Sequence, residues 1–205
     1  PFDADRRGLL VGEGAAVLVL ESEASVVARG ATPLCEVGGY GLSCDAYHIT
    51  RPAPDGSGSR FALERAIEAS GLTSDDIDYV NAHGTATPAN DEIEATVLRA
   101  IFEERIANGE SPKVTSLKGM IGHCMGAASA LEAVSCVLTL NDGVIPPTIH
   151  HETTDPVAEG LDIVANEKQH HEVRALLNNS LAFGGYDAAL CLAKPGVLPE
   201  GAGAR

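Results

Sequence analysis

Lys118 and His123 stand five residues apart in the stretch Thr115 to Glu132, with Gly119 and Gly122 between them. Glycine at both places lets the backbone bend sharply or approach a ligand closely. From Gly126 to about Leu140 the composition turns to Ala, Leu, Val and Cys, and Glu132 is the sole charge. That pattern predicts a buried helix, apolar on nearly all faces, whose N-terminus opens at His123. The positive end of its dipole disfavours an imidazolium there. A neutral histidine can donate one N–H to an oxygen that is gaining charge. Taken alone, the same pattern equally describes a histidine capping a core helix.

Two further loops carry polar groups framed by glycine: His83-Gly-Thr-Ala-Thr87 and Asn179-Ser-Leu-Ala-Phe-Gly-Gly185. The elements that would position them read from periodicity. Apolar runs predict strands at Gly8–Leu20, Leu34–Leu42, Ile77–Ala82 and Lys113–Ser116, with a closing hairpin of Arg174–Ser180 and Asp187–Ala193. Glu13, between two glycines in the first run, is either an edge charge at a bulge or the partner of a buried group. Helices are predicted at Ser22–Arg29, Ser59–Ala69 and Asn90–Ala107, the last presenting Ile93, Val97, Leu98 and Ile101 on one face. Residues 144–173 read as mostly irregular. The alternation gives an α/β class with helices on both faces of a mixed five-stranded sheet. In such sheets ligands sit at the carboxyl ends of strands, where all three glycine-framed loops gather.

Composition narrows the function. The chain has 205 residues, a formal charge of −15, 44% hydrophobic and only 4% aromatic residues. Such acidity disfavours nucleic acid and anionic membranes as partners, and no apolar run is long enough to span a bilayer. No signal peptide is visible, although the chain opens on Pro1. Cys35, Cys44, Cys124, Cys136 and Cys191 form no metal-ligand pattern and suit a reducing cytosol. His150-His151 and His170-His171 lie in polar sequence without supporting ligands and read as solvated loop residues. The expectation is therefore no metal and no cofactor. The stretch 195–205 is expected to fray as a flexible tail.

Five ordered segments together resemble the C-terminal half of a β-ketoacyl-(acyl carrier protein) synthase of the elongating type. They are Pro1 to Ala15, Ser43-Cys-Asp-Ala-Tyr-His-Ile-Thr50, His83 to Thr87, Lys118 with Gly122-His123, and Asn179 to Gly185. The resemblance covers residues 1–194. It implies one half of a thiolase-like αβαβα fold, and a decarboxylative Claisen condensation of an acyl thioester with a malonyl-loaded carrier protein in fatty-acid or polyketide synthesis. His83 and His123 would hydrogen-bond the malonyl thioester oxygen. Lys118 would hold the histidines, paired by Glu132 and Asp91, with Thr85 and Thr87 supporting. Phe183, with Gly184 and Gly185, would supply an oxyanion donor and a gate, and His48 and Thr50 would lie on the substrate-access loop.

The resemblance further implies acyl carrier protein as a partner, a cytoplasmic homo- or heterodimer, and an N-terminal half that supplies the nucleophilic cysteine. Cys124 is not that nucleophile, because the family does not carry it after this histidine. Three positions depart from the family pattern: Ser129 for a glycine, Leu181-Ala182 before Phe183, and Tyr186-Asp187 where Thr-Asn or a similar pair is usual. The alternative is a non-catalytic partner subunit like a chain-length factor, which usually lacks the histidine and lysine constellation. Initiating synthases and thiolases fit less well, the former carrying asparagine at the place of His83.

Overall fold

The computed structural model describes residues 1–202. A short helix α1 (Glu23–Ala28), strand β1 (Glu36–Cys44) and helix α2 (Ser57–Ser70) open the chain. Strand β2 (Tyr79–Asn81) leads into helices α3 (Pro88–Ile101) and α4 (Glu103–Ala107). Strand β3 (Lys113–Thr115) precedes the single-turn helix α5 (Lys118–Ile121) and the longer α6 (Ala128–Asp142). Three two-residue strands follow, β4 (Val144–Ile145), β5 (Asp162–Ile163) and β6 (Gln169–His170). The hairpin β7 (Ala175–Ala182) and β8 (Tyr186–Ala193) closes the fold.

The main sheet has six strands in the order β1-β8-β7-β2-β3-β5. Strand β8 is antiparallel to both neighbours, while β7, β2, β3 and β5 run parallel, so the sheet is mixed. Five of the six expected strands are there, and the short β5 brings the sheet to six at its edge. Alternation along each strand divides the core in two. Val80, Leu177 and Cys191 face a cluster built with Ala62, Leu63 and Ala66 of α2 and Ala95 and Leu98 of α3. Tyr79, Leu176 and Leu192 face Cys136 and Leu140 of α6 on the other side. Helix α2 lies close on β1, since a Cβ on Gly41 would collide with the Ala62 carbonyl oxygen.

Four expectations change. Residues 8–20 form no strand: Val11 makes a single parallel bridge with His123, and the run from Glu13 to Leu20 pairs with no strand among the described residues. A strand needs a neighbour for its N–H and C=O groups, whatever its composition. Val17 and Val19 are 86% and 84% exposed, and Glu13 is exposed too, so it has no buried partner. Helix α6 buries one side only, with Leu138 left open to solvent. His151 is not solvated: it is buried, and its ring bonds the Pro1 carbonyl and the Thr154 hydroxyl. Val197 and Leu198, in the stretch expected to fray, pack against the core beside α2; residues 203–205 of that stretch lie outside the described residues.

Candidate active site

Three adjacent parallel strands end at one edge of the sheet, and each releases one of the glycine-framed loops. Strand β2 runs into His83, β3 into Lys118, and β7 into Phe183-Gly184-Gly185. Parallel neighbours share a direction, so their carboxyl ends must meet.

His83 is buried, and its loop is fastened by Glu94 of α3. The Glu94 carboxylate accepts the His83 N–H on Oε1 and the Gly84 N–H on Oε2, both at 2.7 Å. From the next loop, the Ser116 hydroxyl donates to the Gly84 carbonyl at 2.7 Å. His123 is fixed by its backbone, donating to the Leu10 carbonyl at 2.7 Å and accepting from Gly12 N at 3.1 Å. Its Nδ1 accepts the Met125 N–H at 3.2 Å. A neutral His123 therefore carries its proton on Nε2. The two rings meet edge to face, with centroids 5.3 Å apart at 84°.

Burial pushes His83 well below the ordinary histidine range, and the charge of Lys118 adds to this. His123 is lowered by the same two causes in the same order. A 3-10 turn at Met125–Ala127 lies between His123 and the first residue of helix α6. The Lys118 ammonium pairs with the Glu132 carboxylate, their side chains 3% and 1% exposed. Burial pushes Glu132 up to about 7 against the pull of Lys118. Asp91 takes no part in that pair, contrary to expectation. It accepts from Phe2 N at 2.8 Å and Ala86 N at 3.1 Å, and so shapes the His83–Thr87 loop from beneath.

The arrangement amounts to two neutral imidazoles side by side, one with a known N–H donor, held at strand ends above a buried ion pair. The family model for the β-ketoacyl synthase C-terminal domain matches residues 34–152. The chain belongs to the β-ketoacyl synthase family. Nodulation protein E of Rhizobium meliloti is 44% identical over 190 residues, 93% of this chain and 46% of that protein. The 3-oxoacyl-(acyl-carrier-protein) synthase 2 of Staphylococcus aureus (strain COL) is 43% identical over 194 residues, 95% of this chain and 46% of that one. The solved ishigamide ketosynthase/chain length factor superposes with a TM-score of 0.88 at 46% identity, covering 96% of this chain and 47% of that one. The chain thus spans about half the length of the relatives it matches, and its fold is the thiolase-like one of the ketosynthases.

At the rim of this synthase domain, the Phe183 ring is 66% exposed. Its N–H has no hydrogen-bond partner among the described residues. The glycines after it touch the Ser43–Thr50 loop, Gly184 N donating to the Ile49 carbonyl at 2.8 Å and the Gly185 carbonyl accepting from Asp45 N at 2.7 Å. Both glycines have positive φ, 90° and 81°, which other residues rarely adopt. His48 and Thr50 are exposed and bond one another, Thr50 N to His48 Nδ1 at 3.1 Å, rather than the histidine pair. Thr85 and Thr87 share a hydroxyl contact of 2.8 Å within the His83 loop. Cys124 is buried against Gly12. Among the described residues, no group of three His, Cys, Asp or Glu side chains could hold a metal ion.

Glu94 is the residue that sequence reasoning missed. Besides the two backbone N–H groups, it accepts Asn179 Nδ2 at 2.7 Å, tying the end of β7 to the His83 loop. Its signal was present, since Asn90, Asp91, Glu94, Val97 and Leu98 fall at helical spacing on the buried side of α3.

Proposed function

We propose that this chain is the histidine-bearing half of a ketosynthase, completed by an N-terminal half that carries the nucleophilic cysteine. The acyl group waits as a thioester on that cysteine, and malonyl-loaded acyl carrier protein binds beside it. The bond from the malonyl methylene to its carboxylate breaks, carbon dioxide leaves, and the electron pair moves into an enolate at the thioester carbonyl. His83 and His123 donate hydrogen bonds to that oxygen as its charge grows. The enolate carbon then attacks the acyl thioester, the cysteine thiolate departs, and a β-ketoacyl carrier protein is released. The free N–H of Phe183 suits the oxyanion of this second step. Removing one such donor costs about a hundredfold or more in rate.

One observation carries the reading: two imidazoles packed edge to face, both kept uncharged by burial beside Lys118. Uncharged rings donate without first giving up a proton. The test is His83→Ala and His123→Ala in the full-length protein, reading malonyl decarboxylation and acyl transfer to the cysteine separately. Both variants should lose decarboxylation and keep acyl transfer, which also shows that they fold. Condensation near the wild-type rate in either would remove that histidine from the mechanism. A full-length protein inactive from the outset would instead favour a non-catalytic partner role like that of a chain-length factor.

A further inference from the structure

Asp187, one of the departures from the family pattern, is turned inward. It is buried beneath the gate turn, paired in the hairpin with Leu181, and faces Asp45 of the access loop. The carboxyl oxygens Asp45 Oδ1 and Asp187 Oδ2 converge over the first turn of α2. A Cβ on Gly58 would collide with both, so only glycine leaves room for them. Hydrogen-bond donors are short in this notch. Asp45 Oδ2 accepts Ala53 N at 2.6 Å, while Asp45 Oδ1 is buried with no partner. Asp187 Oδ2 has the Ser43 hydroxyl at 3.0 Å, yet that hydroxyl also points at the Gly58 carbonyl at 2.8 Å. One serine proton cannot serve both.

No cation makes up the deficit. Neither carboxylate has an ion-pair partner among the described residues; Arg60 of α2 is bonded to Glu64, and Asp55 to Ser57. The positive end of α2 favours ionised carboxyls, but no α2 N–H reaches either of them. A buried acceptor without a donor is costly. A single proton on Asp187, donated to Asp45 Oδ1, satisfies both sides of the notch.

We propose that Asp187 is a positioning residue that shares one proton with Asp45, and that this shared proton holds the gate turn against the access loop. The clasp is continuous with the two backbone bonds nearby, from Asp45 N to the Gly185 carbonyl and from Gly184 N to the Ile49 carbonyl. Burial and the neighbouring Asp45 push Asp187 up to about 6. Above that pH two carboxylates face each other across the Gly58 notch, and Phe183 is released with its turn. What the gate then admits rests on the ketosynthase reading; the clasp itself does not.

The experiment follows amide hydrogen exchange in the full-length protein at pH 5 and pH 7.5, corrected for the intrinsic pH dependence of exchange. In the wild type, protection of residues 182–187 and 43–53 should fall by about tenfold, the worth of one pKa unit. Asp187→Asn supplies a permanent N–H donor and should make protection independent of pH; Asp45→Asn should do the same. In parallel, kcat/KM for acyl transfer and condensation should lose one pH step in Asp187→Asn. A flat wild type, or an equal slope in Asp187→Asn, overturns the clasp. A slope in exchange with unchanged pH–rate profiles overturns its control of the gate. Because exchange is read without turnover, a protein that catalyses no condensation still decides the clasp.

Discussion

Replacing Glu94 with glutamine tests how the His83 loop is held. The carboxylate is wholly buried, and each oxygen serves two donors: Oε1 accepts His83 N and Asn179 Nδ2, and Oε2 accepts Gly84 N and Asn90 Nδ2. An amide has one acceptor oxygen. Whichever way the new amide turned, one edge would present an NH2 to a backbone N–H, losing two bonds and setting donor against donor. Hydrogen bonds to a charged group contribute about 1.5–3 kcal/mol each, so Glu94→Gln should cost about 3–6 kcal/mol. Urea denaturation of the full-length protein, with slopes compared as well as midpoints, measures this. Glu92→Gln, on the exposed side of α3, is the control and should stay within about 0.5 kcal/mol. The folded fraction of Glu94→Gln should also decarboxylate malonyl carrier protein about a hundredfold more slowly, since small displacements of a catalytic group cost that much. A stability loss under about 1 kcal/mol would refute the accounting of donors given for Glu94.

Three other outcomes follow from the same geometry. The chain 1–205 by itself should bind a hydrophobic dye strongly and melt without a sharp transition, because Leu10, Val17, Val19 and Leu20 are exposed; a cooperative monomer would contradict this. Lys118→Met removes the cation that, after burial, depresses both histidines, so each should protonate at higher pH and the acid limb of decarboxylation should move upward. A histidine depressed in the fold contributes stability above its unfolded pKa of about 6.5, and this is lost as pH falls toward the folded value; histidine NMR titrations unchanged by Lys118→Met would contradict the assignment. Charge reversal at Arg60 or Arg65, each already paired with Glu64 or Glu68 on exposed α2, should weaken carrier-protein binding less than about tenfold and more at low salt; a hundredfold loss would locate the docking surface there.

The sequence revealed the fold wherever a segment carries its own partner. Strands β2, β7 and β8 alternate between two apolar clusters, so their period and their neighbours agree. It misled where the partner lies elsewhere. Ala15 to Leu20 is as apolar as any strand here, yet period alone cannot say whether a neighbour exists to take its hydrogen bonds. The same holds for α6, whose all-round apolar sequence is covered on one side only.

For the site, the limit was different in kind. Glycine-framed histidines announce themselves as a set, His83 just after β2 and His123 in the loop that follows β3 and α5. Buried carboxylates do not, since composition assigns Asp and Glu to solvent by default. Glu94, Glu132 and Asp187 are all buried; Glu132 stands out as the sole charge between Gly126 and Leu140, whereas Glu94 and Asp187 are legible only through what they oppose, two backbone N–H groups and Asp45. Opposition of that sort joins residues at least 10 positions apart, a span that no local pattern carries. Their environments also separate them by task. Glu94 has four donors and is held rigidly, Glu132 has one cation, and Asp187 lacks a full set of donors. The carboxyl proposed to share its proton is the one that faces another carboxyl, and it lies beneath the Phe183 turn rather than at the histidines.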